Sequence, residues 1–292
     1  MRTRFRSGLG TRDSGLGKGA LARWRFAWVV LAGWLVWGGV VAEQPRVISM
    51  APHLTEMTYA AGVGDRLLGV VDWSDYPPDA AELPSIGDAF RFDLERIMAL
   101  DPDLALAWRG GTPTQLVGRL EDIGIEVLWV ESRSLEDIAD GLEVIGRRLG
   151  NGQAGRTAAE MFRTELAELA KQDSGKTLTV FYQVSARPLY TLGGRHVINE
   201  VFALCGMKNI FAGLDIEASV VDFEAVLAAE PDLIIASREN NDDDPLAQWH
   251  ESGLLNPQQT SLHRVEPTLL VRPTPRILEG IEHICALRDD LE

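Results

Sequence analysis

Residues 93–108 read DLERIMALDPDLALAW, and residues 222–237 read DFEAVLAAEPDLIIAS. The two align without a gap at an offset of 129 positions. Each opens with an Asp and a Glu two places on (Asp93 and Glu95; Asp222 and Glu224), a helix start with acidic groups at the positive end of the dipole. Each then meets Pro and Asp (Pro102 and Asp103; Pro231 and Asp232), where proline ends the helix. Each closes in an apolar run, 104–107 and 233–236, of the kind a strand buried on both faces requires. Solenoid units repeat at about 20–50 residues, so an offset this long implies two equivalent lobes instead.

Working outward, both halves follow one plan. Apolar strand signals open them at 46–50 and 177–182. A loop, a short helix (54–61; 197–205), a Gly stop (Gly62; Gly206) and a second apolar run (67–71; 209–211) come next. The first half continues with helix 115–123, strand 126–130 and helix 135–149. Strands alternating with helices predict an α/β fold with a parallel, Rossmann-like sheet in each lobe. Residues 153–171 hold a long helical pattern with apolar Ala158, Met161, Phe162, Leu166 and Leu169 at spacings of three and four. The expected organisation is a first lobe over 43–150, one long rigid interlobe helix over 151–173 and a second lobe over 174–292. A ligand cleft then lies between the lobes, and the rigid helix predicts only small closure.

The N-terminus reads as a targeting signal. Residues 1–25 carry seven basic side chains and the single acid Asp13, followed by an uncharged stretch over 26–42 that ends in Val40, Val41 and Ala42. Basic, apolar and small-residue regions in that order are those of a secretory signal peptide over 1–42, with an uncleaved anchor as the alternative. The whole chain of 292 residues has a formal charge of −15, and without residues 1–42 it is −21. Such a balance argues against non-specific nucleic-acid binding. Hydrophobic residues at 46% and charged residues at 24% are globular in composition. The two cysteines, Cys205 and Cys285, fit export: in an oxidising compartment a disulfide is the default.

In open α/β sheets, ligands meet the loops beyond the carboxyl ends of the strands. Those stretches hold Pro52 and His53, then Trp73, then Phe90 and Phe92, then Trp108. In the second half they hold Tyr190 and Arg272. Five aromatic rings at such positions suit a large, partly apolar ligand with polar edges. No Gly-x-Ser-x-Gly elbow and no His-Glu-x-x-His occurs. The histidines lack recurrent spacing with acids or cysteines. No catalytic residue and no metal site is expected, and the chain reads as a non-enzyme.

The stretch 73–78 (WSDYPP), with 93–97 (DLERI), 102–104 (PDL) and 107–111 (AWRGG), resembles the periplasmic cobalamin (vitamin B12)-binding proteins of the BtuF type. These are substrate-binding proteins of ABC importers. The resemblance covers nearly all of 46–290 and is strongest over 46–150. It implies two Rossmann-like lobes, a rigid interlobe helix and a transported corrinoid in the cleft rather than a cofactor. It also implies a monomer in the periplasm and a permease dimer in the inner membrane as partner. By position, Pro52, Trp73 and Trp108 match ligand contacts in the first lobe, and Tyr190 and Arg272 match them in the second. Glu95 and Glu224 match carboxylates that dock on permease arginines; the internal repeat places one in each lobe, as a two-fold permease requires. Cys205 and Cys285 match the disulfide. The family has tryptophans where this chain has Ala89 and Ala218, and Phe90 or Phe92 refills the first. A haem or ferric-siderophore carrier of the same fold, or a ligand-sensing module for a membrane receptor, are the alternatives.

Overall fold

The computed structural model describes residues 44–88, 91–171, 175–238 and 244–291. The expected signal peptide lies outside them. The first sheet contains β1 (Val47–Ser49), β2 (Leu67–Val70), β3 (Leu104–Trp108) and β4 (Glu126–Val130). Its order is β2-β1-β3-β4 and every pairing is parallel. The connecting helices are α1 (Pro52–Ala60), α2 (Leu94–Leu100), α3 (Thr114–Asp122) and α4 (Leu135–Arg148). Side chains alternate across a strand, so Val47, Leu104 and Leu106 join the core with α1 and α4, while Ile48, Ala105 and Ala107 pack with α2 and α3.

α5 (Gly152–Leu169) follows, and then the second lobe. This contains β5 (Leu178–Ala186), β6 (Leu189–Leu192), α6 (Ile198–Leu204), β7 (Met207–Asn209), β8 (Ala218–Val220), α7 (Phe223–Ala228), β9 (Leu233–Ser237), α8 (Ala247–Ser252), β10 (Ser261–Val265) and α9 (Ile277–Asp289). β7, β5, β9 and β10 are parallel neighbours, the same winding as the first sheet. The far half of β5 also turns back at Arg187 and Pro188 into β6, which pairs antiparallel with β5 and β8. Among the described residues this extension has no counterpart in the first lobe.

The internal repeat is structural. α2 with β3 and α7 with β9 occupy matching places. Asp101 (φ 49°) and Glu230 (φ 44°) both end their helices in the left-handed region, one residue before the proline. The following aspartates do the same job in each lobe. Asp103 Oδ2 accepts from the Arg46 backbone N–H at 2.8 Å, and Asp232 Oδ2 accepts from the Thr179 N–H at 2.7 Å and its hydroxyl at 2.8 Å. Each Asp therefore pins the start of its lobe's first strand. The helix starts differ: Asp93 accepts from the Arg96 N–H at 3.0 Å, whereas Asp222 makes no side-chain cap bond.

α5 packs along α4 in backbone contact. A Cβ on Gly155 would sit 2.5 Å from the Leu142 carbonyl oxygen, and one on Gly146 would sit 2.7 Å from Gly155 Cα. Arg163 of α5 binds Glu136, Asp140 and Glu143 of α4 at 2.6, 2.7 and 2.6 Å. On its other side α5 packs on α9. Ala159 and Phe162 belong to one apolar cluster that runs from Leu54 and Leu142 in the first lobe to Tyr182 and Ile281 in the second. The lobes thus share a continuous core beside α5.

Cys205, just past α6, bonds Cys285 of α9 across 80 residues of chain. Closing a loop of that length removes unfolded-state entropy equivalent to about 4–5 kcal/mol in the chain-entropy model. Replacing both cysteines by serine is expected to lower the unfolding free energy by about 2–5 kcal/mol in denaturant titrations, with the far-ultraviolet spectrum unchanged.

Candidate functional site

The segments that follow β1 and β2 meet the segment that follows β10, so the carboxyl ends of the two sheets come together at a seam. Pro52 occupies the first turn of α1, where its missing N–H costs nothing. His53 beside it is 6% exposed. Its ring meets the Trp108 indole edge-on, with centroids 5.1 Å apart, and its Nε2 has no hydrogen-bond partner. Trp108 ends β3 and lies against Gly110 and Gly111. A Cβ on Gly110 would sit 2.6 Å from the indole, so the glycines leave the room that the ring occupies.

Trp73 is the most unusual residue of the seam. Its φ is 66°, a left-handed conformation that a bulky side chain rarely adopts. Its indole is not used by the core, and the residue is 72% exposed. The next residue anchors the loop: Ser74 Oγ lies 3.2 Å from Thr55 Oγ1 of α1.

Two arginines from the segment between β10 and α9 cross the seam. Arg272 donates from Nη1 to Asp75 Oδ1 at 2.6 Å and from Nη2 to the Trp73 carbonyl at 3.1 Å. Arg276 donates from Nε and Nη2 to the two carboxylate oxygens of Glu56, both at 2.8 Å. Its guanidinium lies 3.8 Å from the Tyr76 ring centroid, a cation–π contact. A further link joins Leu135 N–H to Glu200 Oε2 at 2.8 Å, from the start of α4 to α6.

These contacts set the electrostatics. Burial, with a smaller contribution from the Arg272 charge, pushes the His53 ring down to about 3, so it is neutral. Partial burial pushes the Asp75 carboxyl up, and the hydrogen bond and charge of Arg272 outweigh it, leaving the group below the usual carboxylate range. His196 is also buried, and burial lowers it to about 4, against a smaller opposing effect of a hydrogen bond with the Val271 backbone; its Nδ1 accepts from the Ile198 N–H at 3.1 Å, which an imidazolium could not do.

The remaining expected residues fall as follows. Phe92 is half-buried and packs against the first-lobe cluster of Ile48, Ile86 and Ile97. Phe90 and Ala89 lie outside the described residues. Tyr190, expected on a loop, sits on β6 opposite Val220, because the β6–β8 extension takes that stretch into the sheet. Ala218 lies on β8. Glu95 and Glu224 are exposed in the first turns of α2 and α7. Among the described residues no group of three or more His, Cys, Asp or Glu is arranged to hold a metal ion. Glu56, Asp75, Tyr76 and Arg276 were not singled out by sequence reasoning. Glu56 carried one signal, an acid within a helix whose other members are mostly apolar.

Two α/β lobes built on the same parallel winding and sharing a core, with aromatic and cationic side chains gathered where their sheet ends meet, define a two-lobed ligand-binding protein. The chain belongs to the periplasmic binding protein family, whose pattern it matches over residues 47–249, and is a transport substrate-binding protein rather than an enzyme. It is 38% identical over 251 residues to the vitamin B12-binding protein of Vibrio parahaemolyticus serotype O3:K6, covering 84% of this chain and 90% of that one. It is 36% identical over 241 residues to that of Vibrio cholerae serotype O1, covering 82% and 87%. The crystal structure of the periplasmic vitamin B12-binding protein BtuF of Vibrio cholerae superposes with a TM-score of 0.77 at 35% identity, over 85% of this chain and 98% of that one.

His53 and His196, the two histidines that burial lowers furthest, make stability depend on pH. In the unfolded chain both rings titrate near 6.5, so below that pH the unfolded state takes up protons that the folded state refuses. Stability therefore rises with pH across the window from about 4 to 6.5, by up to about 1.4 kcal/mol per pH unit for each histidine. Denaturant titrations between pH 4.5 and 7 are expected to show this slope, and His196→Gln is expected to reduce it.

Proposed function

We propose that the chain captures a corrinoid, cobalamin or a close relative, at the seam between its lobes and delivers it to an ABC importer. Pro52, His53, Trp73, Phe90, Phe92, Trp108, Tyr190 and Arg272 are the proposed contacts. The observation that carries the reading is Trp73. A large indole held in a left-handed backbone and left in solvent beside the seam is an apolar surface awaiting a partner. A corrin ring offers a broad face for such an indole, and its amide side chains suit Arg272. Similarity at 36–38% identity to two proteins named for vitamin B12 binding supports the same cargo.

Residues 1–42 direct export in this reading, and the mature chain acts in the periplasm as a monomer. Delivery runs through Glu95 and Glu224. Both are exposed acids in the first turn of repeat helices, one per lobe, and so present a two-fold pair of carboxylates to a dimeric permease in the inner membrane. Two sets of variants test the reading. Trp73→Ala and Trp108→Ala are each expected to weaken cyanocobalamin binding by about tenfold or more. The double change Glu95→Ala with Glu224→Ala is expected to leave binding within about twofold, as exposed surface substitutions do, while abolishing stimulation of the reconstituted importer's ATPase activity. Full stimulation by that double variant would contradict delivery through these residues.

A further inference from the structure

Arg272 holds two groups of the opposite lobe at once. Its guanidinium is largely shielded, with 16% of the side chain exposed, whereas the Asp75 side chain is 57% exposed. The two residues stand 197 positions apart in sequence, so their bond is one of the ties that cross the seam. The second bond, to the Trp73 carbonyl, ties down the loop that carries the exposed indole. The neighbouring Glu56–Arg276 pair is different in kind. Arg276 meets both oxygens of Glu56 in a bidentate fork and Glu56 is buried, so this tie is the firmer of the two. The Asp75–Arg272 bond is single, lies at the solvent edge and can be exchanged for another acceptor.

We propose that Asp75 is an internal competitor for Arg272: the Asp75–Arg272–Trp73 triad is a latch that holds the unliganded seam closed, and a cargo acceptor must displace the carboxylate to enter. The displacement part rests on the corrinoid reading; the closure part does not. Latched chains are unavailable to the cargo, so the apparent affinity is the intrinsic affinity multiplied by the unlatched fraction. Removing Asp75 must then tighten binding. Loss of a merely structural contact would leave it unchanged or weaken it. Salt gives a second signature. A cobalamin such as cyanocobalamin is neutral, so screening acts on the latch and not on the cargo. Affinity of the unaltered chain must rise with ionic strength, and the rise must vanish without Asp75.

The test uses the mature protein and its Asp75→Ala variant, each with spin labels on one exposed position of α3 and one of α8, matched for thermal unfolding. Without ligand, the interlobe distance distribution is expected to be narrow in the unaltered chain and broader in Asp75→Ala. Cyanocobalamin is expected to bind Asp75→Ala about two- to fivefold more tightly at low salt, the range an exposed ion pair supports. Affinities of the two chains are expected to converge at 1 M sodium chloride. Identical distance distributions would overturn the latch. Equal or weaker binding by Asp75→Ala, with a broadened distribution, would overturn the competition. If neither chain binds cyanocobalamin, the cargo reading fails, and the distance distributions still decide whether the latch exists.

Discussion

Glu56 is a carboxylate with 3% of its surface exposed, and it can be there because Arg276 meets both of its oxygens and Tyr76 covers the guanidinium. Desolvating a pair of charges is costly, and only close bidentate geometry offsets it; removing either partner of such a pair typically costs about 3–5 kcal/mol. The register of α1 against the segment that carries Arg272 follows from this contact. Glu56 lies in α1, whose first turn carries Pro52 and His53. Arg276 lies four residues after Arg272. The pair therefore registers the first-lobe floor against the second-lobe arginine that reaches Trp73 and Asp75.

The continuous core gives the same register from behind. Ala159 and Phe162 of α5 join apolar side chains of both lobes, and backbone contact between Gly146 and Gly155 leaves α5 no freedom to slide on α4. Close-packed interiors deform little, so motion concentrates where the contacts are single and wet. The structure puts that place at the mouth of the seam and gives the lobes a stiff back, which suits small opening movements over large domain rotations.

Much of this was legible in the sequence because the repeat is strong. The pairing of 93–108 with 222–237 gave two lobes, and periodicity gave the α5 helix nearly to its ends. The parallel order also followed, since alternating strands and helices leave few alternatives. The β6–β8 extension was not legible: its strands are short, and what makes them strands is pairing with β5. The roles of Asp103 and Asp232 were hidden for a similar reason. A side chain that pins a strand about 55 residues away leaves no local pattern. At the seam, Trp73, Trp108 and Arg272 stood out by type and place, while Glu56, Asp75 and Tyr76 did not. Their importance comes from contacts 197 to 220 positions away in sequence, which only the folded chain assembles.

The central claim is that the seam between the lobes accepts a corrinoid. Isothermal titration of the mature, oxidised protein with cyanocobalamin, with cobinamide and haem run beside it, addresses that claim most directly. The account predicts saturable one-to-one binding of the corrinoids and none of haem. Binding of haem with silence towards both corrinoids would contradict it, and would mean that Trp73 and Arg272 serve a different flat, partly apolar cargo.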